Sequence, residues 1–131
     1  MYNQKILDIF KNPYNAGGLH GANGIGKVTQ ESTGDVVKIY IKVNENGVIE
    51  ESRFKTMGCV PSIVASSILT ELAVDKSLEV AGEITYEDIL EVMGDLEEEK
   101  YIFVKLAIDA LKVAIQDYYK KKEKEEKSKK M

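Results

Sequence analysis

Apolar and polar residues alternate strictly in one part of the chain. In "DVVKIYIKV", residues 35–43, Val37, Ile39, Ile41 and Val43 fall on one face and Lys38 and Lys42 on the other, the period-two pattern of a half-buried strand. "NENG" follows as a turn, Asn46-Gly47 being a pair that tolerates positive φ, and "VIEESRFKT" predicts the antiparallel return strand. Ahead of this hairpin, "QKILDIFK" places Ile6, Ile9 and Phe10 at helical spacing over residues 4–11, and Asn12-Pro13 predicts the stop. The intervening "YNAGGLHGANGIG" holds five of the ten glycines and predicts a loop, with period-two character beginning at Lys27. After the hairpin, "PSIVASSILTELAV" reads as a helix with Pro61 in its first turn and Ile63, Ser67 or Ile68, and Leu72 along one side. "TYEDILEVM" reads as a short helix opened by Thr85 and Asp88 at capping-box spacing. The last helix is predicted from about Glu97 to Tyr119 or beyond. Tyr101, Val104, Ile108, Leu111, Ile115 and Tyr118 form one stripe, and Phe103, Ala107, Ala110 and Ala114 form a second row. Helix, strands, then helices predict an α+β fold: an antiparallel sheet of about three strands with helices packed on it and a long C-terminal helix.

At 131 residues the chain has room for one core. The division expected is a domain over 1–119 and a charged tail over 120–131, either helix extension or disordered. That tail, "KKKEKEEKSKKM", carries seven Lys and three Glu, with Glu123/Lys127, Glu125/Lys129 and Glu126/Lys130 at i,i+4 spacing. The overall charge of −4 therefore hides a body of about −8. A body so acidic repels phosphate backbones, which argues against nucleic acid as partner. No window approaches the length of a membrane span and the start lacks the layout of a secretory signal, so a soluble, cytoplasmic protein is expected.

Candidate chemistry is sparse. "GANGIGKV", residues 21–28, matches the first seven places of a phosphate-binding loop, but Val28 stands where a magnesium-holding hydroxyl is needed, and a strand follows in place of a helix. The lone His20 lies in a polar loop, and no nucleophile–base–acid set appears at recognisable spacing. The acids of "GDLEEEK" fit a helix first turn that complements the dipole. Enzymatic activity is not expected. The single cysteine, Cys59, sits after a glycine at the predicted start of a helix, where the dipole stabilises a thiolate by roughly 0.3–1 kcal/mol. It reads equally as a reactive thiol or as a small apolar residue closing the corner.

The residues around Cys59 resemble the IscU and NifU N-terminal iron-sulfur cluster assembly scaffolds. "KNPYNAGGL" is similar to their opening E-N-P-R-N-x-G, "GDVVKIYIKVNENGVIEESRFKTMGC" follows their central run almost without gaps, and "SIVASSILTELAVDKSL" resembles their A-S-S-S-x-x-T-E-x-x-x-G-K-S-L helix. The resemblance covers about residues 3–119. It implies a scaffold on which three cysteines, with a nearby aspartate and histidine, assemble a cluster from iron and from sulfur delivered by a cysteine desulfurase. Cys59 falls on the second cysteine and Asp35 on the aspartate of A-C-G-D. This chain reads "STGD" there, so Thr33 replaces the first cysteine. The H-C-S motif corresponds to Ile102, Phe103 and Val104, so the histidine and third cysteine are absent. The chaperone-docking L-P-P-V-K is matched by Leu96 to Lys100 without either proline.

A [2Fe-2S] cluster takes about four ligands, generally thiolates, and the side chains at 33, 102 and 103 are not substitutes. Even a homodimer would bring two thiolates. No stably held cofactor is expected; iron, zinc or a labile cluster would need ligands from a partner, with Cys59 and Asp35 as this chain's share. Phe103 is expected to fill the space of the missing metal, which would stabilise the empty fold by ~1.5–3 kcal/mol if fully covered. The roles left open are accepting sulfur on Cys59, holding iron weakly through Cys59 and Asp35, or an accessory part. The competing class is an interaction module that binds the desulfurase or another assembly partner without metal or sulfur chemistry.

Overall fold

The computed structural model describes residues 2–129. Helix α1 spans Gln4–Lys11 and is followed by three strands, β1 (Gly24–Gln30), β2 (Asp35–Val43) and β3 (Ile49–Met57). Helices α2 (Val60–Ala73), α3 (Leu78–Ala81) and α4 (Tyr86–Met93) come next, then a 3-10 turn at Glu98–Lys100 and helix α5 (Tyr101–Lys129). The strands form one antiparallel sheet in the order β1-β2-β3. This is the α+β arrangement the sequence predicts.

The hairpin matches the period-two reading. Val37, Ile39, Ile41 and Val43 are buried, and Ile39 pairs with the buried Phe54. This face packs against α2 and α5, whose Val64, Ile68, Leu69, Val104 and Leu111 complete the core. Each such fully covered aliphatic side chain contributes about 1.5–3 kcal/mol relative to exposure. The capping box of α4 is present in full: Thr85 Oγ1 accepts the Asp88 N–H and the Asp88 carboxylate accepts the Thr85 N–H.

Four readings need correction. Strand β1 begins at Gly24, inside the segment expected to be loop, because α5 crosses it backbone to backbone. A Cβ on Gly26 would overlap the Ala110 carbonyl oxygen and the Ala114 nitrogen, and one on Gly24 would lie 2.6 Å from Ala114 O. Glycine therefore marks close approach here and not a turn. The side of α2 read from the sequence is only part of its covered surface: Ser67 and Ile68 are buried and Ile63 and Leu72 half-buried, and Val64, Ala65, Leu69 and Ala73 on its other sides are covered too, because the helix is wedged among α1, α4, α5 and the sheet. Phe10, at 38% exposure, lies outside the buried face of α1 formed by Ile6 and Ile9. Of the acids of "GDLEEEK", Glu98 and Glu99 sit in the first turn of the 3-10 helix that runs directly into α5, whereas Asp95 and Glu97 precede it, so the acidic first turn belongs to that 3-10 helix and not to α5 itself.

Helix α5 continues in regular form through Lys129. Its exposed end is braced by Lys121–Asp117 at 2.8 Å and Lys127–Glu123 at 3.2 Å. Among the described residues no ion pair joins Glu125 to Lys129, in keeping with the small worth of fully solvated pairs. The Glu126/Lys130 pairing lies outside the described residues. No helix among the described residues is long and apolar enough to cross a membrane.

The glycine contact gives a direct stability test. Gly26→Ala forces a side chain into the α5 backbone and is expected to lower stability by about 1–3 kcal/mol, read from the urea midpoint. An unchanged midpoint would mean that α5 does not lie against β1 at this position.

Candidate functional site

Of the residues singled out in the sequence, Asp35 and Cys59 meet where β2 begins and α2 starts. Strand β3 ends at Met57, and Gly58 turns the chain so that Cys59 becomes the N-cap of α2 in extended conformation (φ −87°, ψ 173°), with Pro61 in the first turn. Asp35, the first residue of β2, reaches this corner: its Oδ2 accepts the Cys59 backbone N–H at 3.0 Å. Gly58 has to be glycine for that approach, since a Cβ there would collide with Asp35 Oδ2 and lie 2.6 Å from Ser62 Oγ. Ser62, fully buried, donates to Cys59 O at 2.8 Å and lies 3.8 Å from Cys59 Sγ. Ser62 was not among the residues singled out in the sequence; its i,i+3 spacing from Cys59 was the available signal.

Asp35 is 8% exposed. Burial works to raise its carboxyl pKa, but hydrogen bonds from the Cys59 backbone and thiol, from Thr33 and from Ser62 outweigh it. The group is held below the usual aspartate value. Cys59 moves the other way. Partial burial pushes the thiol up, and the Asp35 carboxylate beside it, as hydrogen-bond acceptor and as negative charge, pushes it further. Contact with Ser62 offsets part of this. This corrects the expectation of a dipole-stabilised thiolate. The anion at the head of α2 is the carboxylate of Asp35, and its charge favours the protonated thiol.

Thr33 lies in the turn before β2, exposed, with Oγ1 accepting the Asp35 N–H at 3.3 Å. Ile102 and Phe103 lie in the first turn of α5. Gly24 faces Ala114 and Gly26 faces Ala110, so α5 runs antiparallel to β1. Ile102 is 39% exposed, and Phe103 is half-buried and outside the core cluster. Phe103 therefore does not reach the full coverage expected of it; in this turn of α5 it is Val104 that is fully buried in the core. His20 is exposed in the loop before β1, and "GANGIGKV" runs into strand β1. Among the described residues no three His, Cys, Asp or Glu side chains converge to hold a metal ion.

The sequence profile of the NifU-like N terminal domain matches residues 1–125. The chain belongs to this family. It is 46% identical over 121 residues to a protein of Aquifex aeolicus named iron-sulfur cluster assembly scaffold protein IscU, a match covering 92% of this chain and 77% of that one. The protein of the same name from Escherichia coli K12 is 42% identical over 125 residues, covering 93% of this chain and 97% of the relative. A crystal structure of a NifU-like N-terminal protein from Brucella abortus superposes with a TM-score of 0.75 at 18% identity, over 90% of this chain and 94% of that one, and so shares the fold.

The NifU-like chain also carries an open cavity of about 540 Å³ beside the corner, lined among others by Pro13, Ala16, Val36, Phe54, Met57 and Ile63. Lys27, Lys38 and Lys55 line it too, and these three stand directly opposite one another across the three strands. Like charges in that register destabilise a sheet. Among the described residues none of the three makes an ion pair. Met57 is 77% exposed at the rim.

Two measurements check the electrostatics. Asp35→Asn removes the charge that suppresses the thiolate, so alkylation of Cys59 at pH 7 is expected to accelerate by about threefold or more; an unchanged rate would mean the carboxylate does not control the thiol. The second is a stability difference. Because the folded-state pKa of Asp35 is depressed, its ionised form stabilises the fold above the unfolded value of about 3.9, and that contribution is lost as pH falls through the folded value. The gap in urea midpoint between wild type and Asp35→Asn should be widest above about pH 5 and shrink on acidification. A gap independent of pH would contradict this.

Proposed function

We propose that this chain serves iron-sulfur cluster assembly as a scaffold-type protein that holds a two-iron cargo only with donors contributed by a partner. One observation carries the reading: the donors at the α2 corner are one thiol and one carboxylate in mutual contact, and by resemblance the remaining ligand positions fall on Thr33, Ile102 and Phe103, a hydroxyl and two apolar side chains. About four ligands are needed for a [2Fe-2S] unit, so the residues present do not fit an autonomously held cluster. The assembly context is supported by 42–46% identity to relatives named as scaffold proteins. The role is to hold and pass on cargo, not to catalyse. A reducing, cytoplasmic setting suits a lone cysteine that has to stay free.

Cys59 and Asp35 are the residues that would take hold of iron or zinc, weakly. In sulfur acceptance, the Cys59 thiolate would attack the outer sulfur of a persulfide and release the donor's cysteine thiolate. The raised pKa makes that step slow at neutral pH unless the donor shifts the Asp35 charge away. A cysteine desulfurase or another assembly protein is the partner this requires. A second reading, an interaction module without sulfur or metal chemistry, draws support from the lysine-rimmed cavity, which offers an apolar floor and three cations that make no ion pair among the described residues.

Anaerobic incubation with iron, sulfide and a desulfurase should leave the isolated chain without a tightly held cluster. A stable cluster on this chain alone would overturn the donor argument. Cys59→Ala separates the two readings: partner binding and cellular effect that are both unchanged favour the interaction module, and loss of sulfur transfer favours the scaffold. The triple variant Thr33→Cys, Ile102→His, Phe103→Cys is expected to gain tight zinc or cluster binding, measured by metal content after desalting. A folded triple variant that binds neither would show that the positions no longer converge.

A further inference from the structure

Two side chains at the start of the chain are tied to the approach to α5. Asn3 caps α1, its Oδ1 accepting the Ile6 N–H at 2.8 Å, while its Nδ2 donates to Met93 O at 3.2 Å and Asp95 O at 3.4 Å. Gly94, between those two carbonyls, has φ +85°, and a Cβ there would lie 2.8 Å from Asn3 Nδ2. The amide reaches in because residue 94 has no side chain. One residue earlier, Tyr2 receives Lys100, whose Nζ lies 3.1 Å from the phenolic oxygen and 4.4 Å from the ring centre.

The segment so held has little to keep it in place by itself. Residues 94–100 carry Asp95, Glu97, Glu98 and Glu99 against the single cation Lys100, and like charges at this spacing repel. Regular structure is limited to the 3-10 turn, and Leu96 is the side chain of this stretch that packs on the core. Beyond it, Tyr101, Ile102 and Phe103 are at most half-buried, and the body of α5 is fixed separately through Ala110 and Ala114 against β1.

We propose that Tyr2 and Asn3 form a latch over the 94–100 strap. Closed, it sets where α5 begins and so where Ile102 and Phe103 stand. Open, the strap and the first turn of α5 let go together, while the sheet and the rest of α5 stay folded, a local opening of the kind that weakly packed segments undergo. A partner that takes hold of Tyr2 would thereby change the head of α5 without touching it. This holds whether or not the chain handles iron or sulfur.

Asn3→Ser separates capping from latching, since serine keeps an oxygen for the Ile6 N–H but has no amide to reach residues 93 and 95. Amide hydrogen exchange is followed on the full chain in wild type, Asn3→Ser, and Asn3→Ser combined with Tyr2→Leu. The latch predicts exchange over 94–103 about tenfold faster in the double variant and roughly threefold faster in Asn3→Ser, with β2 and residues 106–115 within about twofold of wild type. Unchanged exchange over 94–103 in folded Asn3→Ser overturns the proposal. A uniform rise across the whole chain also overturns it, because the two residues would then add only global stability.

Discussion

Asp35 is the one charged side chain buried among the described residues, and a carboxylate taken out of water costs several kcal/mol unless its oxygens are satisfied. Here the compensation comes from three directions: the head of α2 through the Cys59 N–H, the preceding turn through Thr33, and the buried hydroxyl of Ser62. Those bonds need the β2 start, the β3–α2 corner and the first turn of α2 in one arrangement, with Gly58 bare so that the carboxylate can come close. The corner is thus organised around an anion already in place. Its charge also sets the chemistry of the neighbouring thiol, so one group anchors the corner and restrains the thiol.

How much could be read from the chain alone depended on whether one residue's role was decided locally. The β2–β3 hairpin and the α4 capping box follow from period and spacing within a few residues, and both are present as read. The start of strand β1 was read as loop because Gly24 and Gly26 carry the usual mark of one, while their purpose is set by Ala110 and Ala114, more than eighty residues away. The covering of α2 was read only in part for a related reason: a helix surrounded by other elements has no single apolar stripe to find. At the site, resemblance paired Cys59 with Asp35 and identified the empty ligand positions. It did not give the direction of the thiol shift, which depends on which group takes the N-terminus of α2.

The charge pattern has its own logic. Without its last twelve residues the chain carries a charge of about −8. Against that background Lys27, Lys38 and Lys55 form a cationic row that the fold does not neutralise and that its strand pairing disfavours. Such a row next to an apolar floor is retained at the expense of sheet stability, which is understandable if something outside the chain supplies the counter-charge.

The two bare positions in β1 have a corollary at the head of α5. Main-chain atoms near its middle seat α5 on the sheet, and Ile102 and Phe103 in its leading turn, at most half-buried, add little to that seating. Replacing those two side chains is therefore a local edit that leaves the architecture behind it untouched.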